Sequence, residues 1–96
     1  MTDTNTDVYH RLRAFMDSLP AGYPQTPTGV EIRLLQKMFT PEQAELKMRL
    51  RHELEEVHDI AARLGEDLAS LTERLEEMAR RGLVFRKREN GRVYYQ

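Results

Sequence analysis

The chain of 96 residues contains no cysteine. Disulfides within it are excluded, and so is a zinc site or iron–sulfur cluster held by its own thiolates. No apolar run approaches the about 20 residues that a membrane-spanning helix needs, so no membrane partner is expected. A net positive charge is missing too. The formal net charge is −1 at pH 7, so no global field draws the chain to nucleic acid, although a local basic patch remains open. Residues 1–7 are polar and acidic, unlike a secretion signal, and a cytoplasmic location is expected. There is no glycine-rich phosphate loop, and Ser18 and Ser70 lie outside any nucleophile-elbow pattern. His10, His52 and His58 form neither a His-x-x-x-His nor a His-Glu-x-x-His pair. His58 and Asp59 are adjacent, so their side chains diverge on a helix. The expectation is a chain with no catalytic residues, no metal ligands and no cofactor of its own.

What is present is helical periodicity. With 40% hydrophobic and 32% charged residues, the composition fits a mainly α domain with a small core. Residues 1–7 are read as a flexible start, with Asn5, Thr6 or Asp7 able to cap a first helix. Val8, Leu12, Phe15, Met16 and Leu19 form its apolar stripe, and Pro20-Ala21-Gly22 ends it. Pro24 and Pro27 make the following stretch an extended connector. Val30, Leu34, Leu35 and Met38 mark a second, short helix beginning near Thr28. Thr40-Pro41-Glu42-Gln43 is a capping box with proline at the first helical position, so a third helix starts at Pro41. It carries Ala44, Leu46, Met48 and Leu50, and a break is expected near Arg51 to Glu53.

The stretch from Glu56 to Tyr95 carries the fold reading. Leu54, Val57, Ile60, Ala61 and Leu64 are spaced as on a helix, and Gly65 permits a sharp turn after it. Leu68, Leu71, Leu75 and Met78 form the stripe of a longer helix that Gly82 terminates. Asn90-Gly91 then predicts a two-residue type I′ hairpin. That register pairs Glu89 with Arg92 and sets Gln96 opposite Phe85. It places Phe85, Lys87 and Tyr94 on one face, with Arg86, Arg88, Val93 and Tyr95 on the other. Phe85 and Tyr94 are expected to cover the core beside Leu83. The order helix, glycine turn, longer helix and basic hairpin reads as a winged helix-turn-helix domain over residues 8–96 with extra N-terminal helices. The chain is expected to be part of a longer protein, because the hairpin runs to its last residue.

The candidate contact residues lie in the longer helix and the hairpin. Ser70 and Arg74 belong to the would-be recognition helix, which also carries Glu66, Asp67, Glu73, Glu76 and Glu77. Carboxylates at its start repel phosphates, so a solvated face is the simpler reading. Arg86, Lys87, Arg88 and Arg92 could form one basic patch for a DNA backbone or an acidic protein. Hairpin charges that merely block edge pairing fit equally well.

Two segments resemble a known family. They are Thr28-Gly29-Val30-Glu31-Ile32-Arg33-Leu34-Leu35 leading to Phe39-Thr40-Pro41-Glu42-Gln43-Ala44, and Leu75-Glu76-Glu77-Met78-Ala79-Arg80-Arg81-Gly82-Leu83-Val84-Phe85. Together they are similar to the N-terminal winged-helix region of bacterial and archaeal 4Fe–4S ferredoxin-type iron–sulfur proteins. The resemblance spans residues 8–95, and the first segment is the more specific. In that family cysteine-rich ferredoxin repeats follow the helical region. The resemblance implies an interaction module of an electron-transfer protein, holding a partner protein or its own redox domain. Any 4Fe–4S clusters would lie in a C-terminal region beyond Gln96. The alternative is a DNA-binding transcriptional regulator, possible as a homodimer, with its recognition helix starting near Asp67.

Overall fold

Helix stops and caps set the element order. The computed structural model describes residues 4–19 and 22–96. Five helices and three strands lie among them: α1 (Thr4–Asp17), α2 (Val30–Met38), α3 (Pro41–Arg49), β1 (Glu55–Glu56), α4 (Val57–Leu64), α5 (Leu68–Arg80), β2 (Arg86–Glu89) and β3 (Arg92–Tyr95). The chain divides into two compact units, Met1–Met48 and Arg49–Gln96.

In the first unit α1 packs on α2. α1 begins at Thr4, so Asn5, Thr6 and Asp7 lie within the helix instead of capping it. Pro20 and Ala21, expected to end that helix, lie outside the described residues, and the last helical residue is Asp17. Val8, Leu12 and also Tyr9 are buried. The Tyr9 hydroxyl donates to the Phe39 carbonyl at 2.6 Å, tying α1 to the end of α2. The connector is pinned at both ends. Arg13 donates to the Tyr23 carbonyl at 3.1 Å, and the Tyr23 hydroxyl donates to the Glu31 carbonyl at 3.1 Å. The Thr26 hydroxyl donates to the buried Glu31 carboxylate at 2.5 Å and holds that group below the usual carboxylate range.

α2 turns a different face inward from the one its spacing suggests. Ile32 and Leu35 are buried, while Val30, Leu34 and Met38 are 41%, 48% and 40% exposed. The helix carries apolar residues on two neighbouring arcs, and only one packs in this unit. The capping box at α3 is formed as read. The Gln43 amide N–H donates to the Thr40 hydroxyl at 3.1 Å, and the Gln43 side chain accepts from the Thr40 N–H at 3.0 Å. α3 stops at Arg49, just before the expected break.

In the second unit α4 and α5 are joined through Gly65, at φ 66°. Leu54 lies before α4, not in it. The Asp67 carboxylate caps α5 by accepting from the Ser70 N–H at 2.9 Å. Gly82 (φ 76°) ends α5 in a Schellman arrangement, with Leu83 N–H to Met78 carbonyl at 2.8 Å and Gly82 N–H to Ala79 carbonyl at 3.0 Å. Leu71, Leu75 and Met78 are completely buried, as is Ile60. The hairpin turns at Asn90 (φ 53°) and Gly91 (φ 76°), the positive φ pair of a type I′ turn. Its register is the expected one, with Glu89 opposite Arg92 and Gln96 bonded both ways to Phe85.

The buried face of the hairpin is the reverse of the expected one. Tyr95 is 1% exposed, whereas Phe85 is 58% exposed. Tyr94 is half-buried. Leu83 belongs to the helix-ending turn and not to the strand, so alternation counted from Leu83 gives the wrong phase. A third strand was also unanticipated. β1 pairs with β3, Glu55 with Tyr95 and Glu56 with Tyr94, giving the antiparallel order β1-β3-β2. Arg63 of α4 clamps β1 with two bonds to the Glu55 carboxylate, 2.9 and 2.8 Å.

Leu75 has no exposed surface and sits in the middle of α5. Leu75→Ala should cost roughly 2–5 kcal/mol, a large share of the about 5–15 kcal/mol of a typical domain. Urea titration followed by circular dichroism checks this. A loss under about 1 kcal/mol would mean that the site collapses around the smaller side chain.

Candidate functional site

The hairpin is fastened to α5 at one carboxylate oxygen. Glu76 Oε1 accepts from the Tyr95 hydroxyl at 2.5 Å and from Arg86 Nε at 2.8 Å. Strand alternation brings both donors to it, because Arg86 and Tyr95 are directly opposed on β2 and β3. These bonds hold Glu76 below the usual carboxylate range, the Tyr95 hydroxyl contributing most and Arg86 next. Burial, and then the bond to Glu76, pushes the Tyr95 hydroxyl up to about 12.

The remaining sequence-predicted contact residues are Ser70, Arg74, Lys87, Arg88 and Arg92. Ser70 is exposed in the first turn of α5. Arg74 pairs with Glu66 at 3.2 Å, and Glu66 also pairs with Arg49 at 3.1 Å. Arg49 donates further to the Leu64 carbonyl at 3.0 Å, closing the end of α4. Lys87 pairs with Glu89 at 3.3 Å. The expected Glu89–Arg92 pair is opposed in register but makes no ion pair, because the Glu89 carboxylate turns to Lys87. Arg88 and Arg92 make no ion pair among the described residues.

Register also splits the hairpin cations. Arg86 and Arg88 oppose Tyr95 and Val93, while Lys87 and Arg92 belong with Tyr94 and Glu89. Alternation therefore puts them on opposite faces of the hairpin, not in one patch. The outer side of α5 adds the exposed Glu73 and Glu77, the latter paired with Arg80 at 2.5 Å.

Beside the Glu76 junction lies a depression of about 430 Å³ lined by Glu76, Ala79, Arg80, Val84, Phe85 and Arg86. Phe85 is exposed at this depression, and Arg80 and Arg86 share its lining, side-chain types that are enriched at protein contacts. Sequence reasoning had placed Phe85 in the core. It left Glu76 and Tyr95 without a role, although an acidic residue one turn before the helix end and an aromatic at the strand end were visible.

Among the described residues no group of three or more His, Asp or Glu side chains is placed to hold a metal ion, and no helix is long and apolar enough to cross a membrane. Compared with protein-family models, curated proteins and solved structures, the chain has no match.

The junction makes stability depend on pH on both sides. The Tyr95 proton is held more tightly in the folded state than its ordinary value of 10.0. Its contribution is complete below that value and is lost as pH rises toward about 12, at about 1.4 kcal/mol per pH unit. The lowered Glu76 carboxyl acts in the opposite sense. Its contribution is present above its ordinary 4.5 and is lost as pH falls through its lowered folded-state value. Tyr95→Phe should cost about 1–3 kcal/mol at neutral pH. The gap from the parent chain should close as pH rises through about 10 to 12 in urea titrations. A gap that stays constant over that range would contradict the assignment of the Tyr95 proton to Glu76.

Proposed function

We propose that the C-terminal unit is a winged helix that works as a protein-interaction module, not as a reader of DNA. The order β1, α4, α5, β2, β3 and the sheet order β1-β3-β2 support the winged-helix reading. One observation carries the choice of partner. The helix that would enter a DNA groove exposes Glu73 and Glu77, while Arg74, Arg80, Arg86 and Lys87 are each paired with a carboxylate. Binding to phosphates draws on cations whose charge is free to displace counterions. The exposed Phe85, which lines one depression with Arg80 and Arg86, supplies the contact surface in this reading.

The resemblance to ferredoxin-type iron–sulfur proteins supports reading it as the interaction module of an electron-transfer protein. The residues present do not fit a 4Fe–4S cluster, because there is no cysteine to ligate it. A cluster in such a protein would belong to residues beyond these 96. A cytoplasmic location goes with this reading.

Arg88 and Arg92, without ion-pair partners among the described residues, favour a second reading as a DNA-binding regulator. Fluorescence anisotropy with a random duplex separates the two. At physiological salt the module should show no binding at concentrations up to about 100 µM, the weak end of non-specific affinity. Micromolar binding whose salt slope drops by about one unit for each of Arg88→Ala and Arg92→Ala would overturn the protein-partner reading.

A further inference from the structure

One arc of α2 leaves its large apolar side chains exposed. Val30, Leu34 and Met38 recur every four residues and are 41%, 48% and 40% exposed. At about 100° per residue they form a stripe spanning about 12 Å of helix. Arg33 and Lys37 follow one side of that stripe by the same geometry. Neither makes an ion pair among the described residues. Arg33 donates only to the Thr28 carbonyl at 3.1 Å. The acidic residue of α2, Glu31, is turned inward, with its carboxylate taken by Thr26. The stripe therefore has a positive border that nothing in its own helix neutralises.

We infer that this arc is a docking site for an amphipathic helix of a partner, with acidic residues beside its apolar anchors. A partner helix presenting anchors at i, i+4 and i+7 matches the length of the stripe. Glutamates flanking those anchors would meet Arg33 and Lys37, and charge complementarity of this kind selects partner and register. A second copy of the same arc is a poorer fit. A twofold contact sets a patch against itself, so the cations of one copy would face those of the other. The site belongs to the first unit and Phe85 to the second, so it stands or falls separately from the function proposed above.

The test uses the intact 96-residue chain, isotope-labelled, and two synthetic helical peptides. Both carry leucine anchors at i, i+4 and i+7; one has flanking glutamates and the other lysines. The glutamate peptide should shift the methyl resonances of Val30, Leu34 and Met38, and should bind at least about tenfold more tightly than the lysine peptide. Leu34→Glu should abolish binding without loss of helical circular dichroism, since Leu34 contributes little to the core. Arg33→Glu with Lys37→Glu should reverse the preference. Equal binding of both peptides, binding of neither, or shifts that map elsewhere would overturn the inference. So would methyl groups already protected in the free monomer, a dimer that Leu34→Glu dissolves, or binding to anionic lipid vesicles in place of the peptide.

Discussion

The second unit depends on the Glu76 carboxylate. One of its oxygens receives both the Tyr95 hydroxyl and the Arg86 guanidinium. Charge-assisted bonds of this kind are the stronger class, and here they join the last strand to the middle of the longest buried stripe. The sheet inherits its orientation from that junction. With Tyr95 turned to α5, alternation sends Phe85 and Lys87 outward, and β1 then pairs with the remaining edge of β3.

The same junction shapes the electrostatics. Arg86 leads the basic run of the hairpin, and its charge is already answered by Glu76. Arg74, Arg80 and Lys87 are answered likewise by Glu66, Glu77 and Glu89. A surface that reads as basic along the chain is close to balanced once folded. Pairs of this kind at the surface add little to stability, but they reduce the free positive charge available to a polyanion. On the proposed reading, the exposed Phe85 ring beside the junction is the surface offered to a protein partner.

Much of the architecture was legible because it is written locally. The Thr40–Gln43 box, the glycine stops at Gly65 and Gly82 and the Asn90-Gly91 turn each depend on a few adjacent residues. Features decided by tertiary contact were harder to read. β1 is two glutamates long, and nothing in Glu55-Glu56 favours a strand until β3 offers its edge. The inward face of α2 depended on which of two apolar arcs met α1. The hairpin phase was missed because Leu83 lies in a helix-ending turn, outside the alternation that begins after it. The candidate contact residues Ser70, Arg74, Arg86, Lys87, Arg88 and Arg92 are read from charge and position alone, whereas the partners that Arg74, Arg86 and Lys87 find are set by folding.

A double-mutant cycle between Glu76 and Tyr95 tests the central claim most directly. Stabilities of the parent chain, Glu76→Ala, Tyr95→Phe and the double variant would be measured by urea titration at neutral pH. If the Glu76 oxygen joins sheet to helix, the coupling should be about 1–3 kcal/mol, since both partners belong to one bonded network. Additive effects, with a coupling below about 0.5 kcal/mol, would show that the hairpin is held by packing alone.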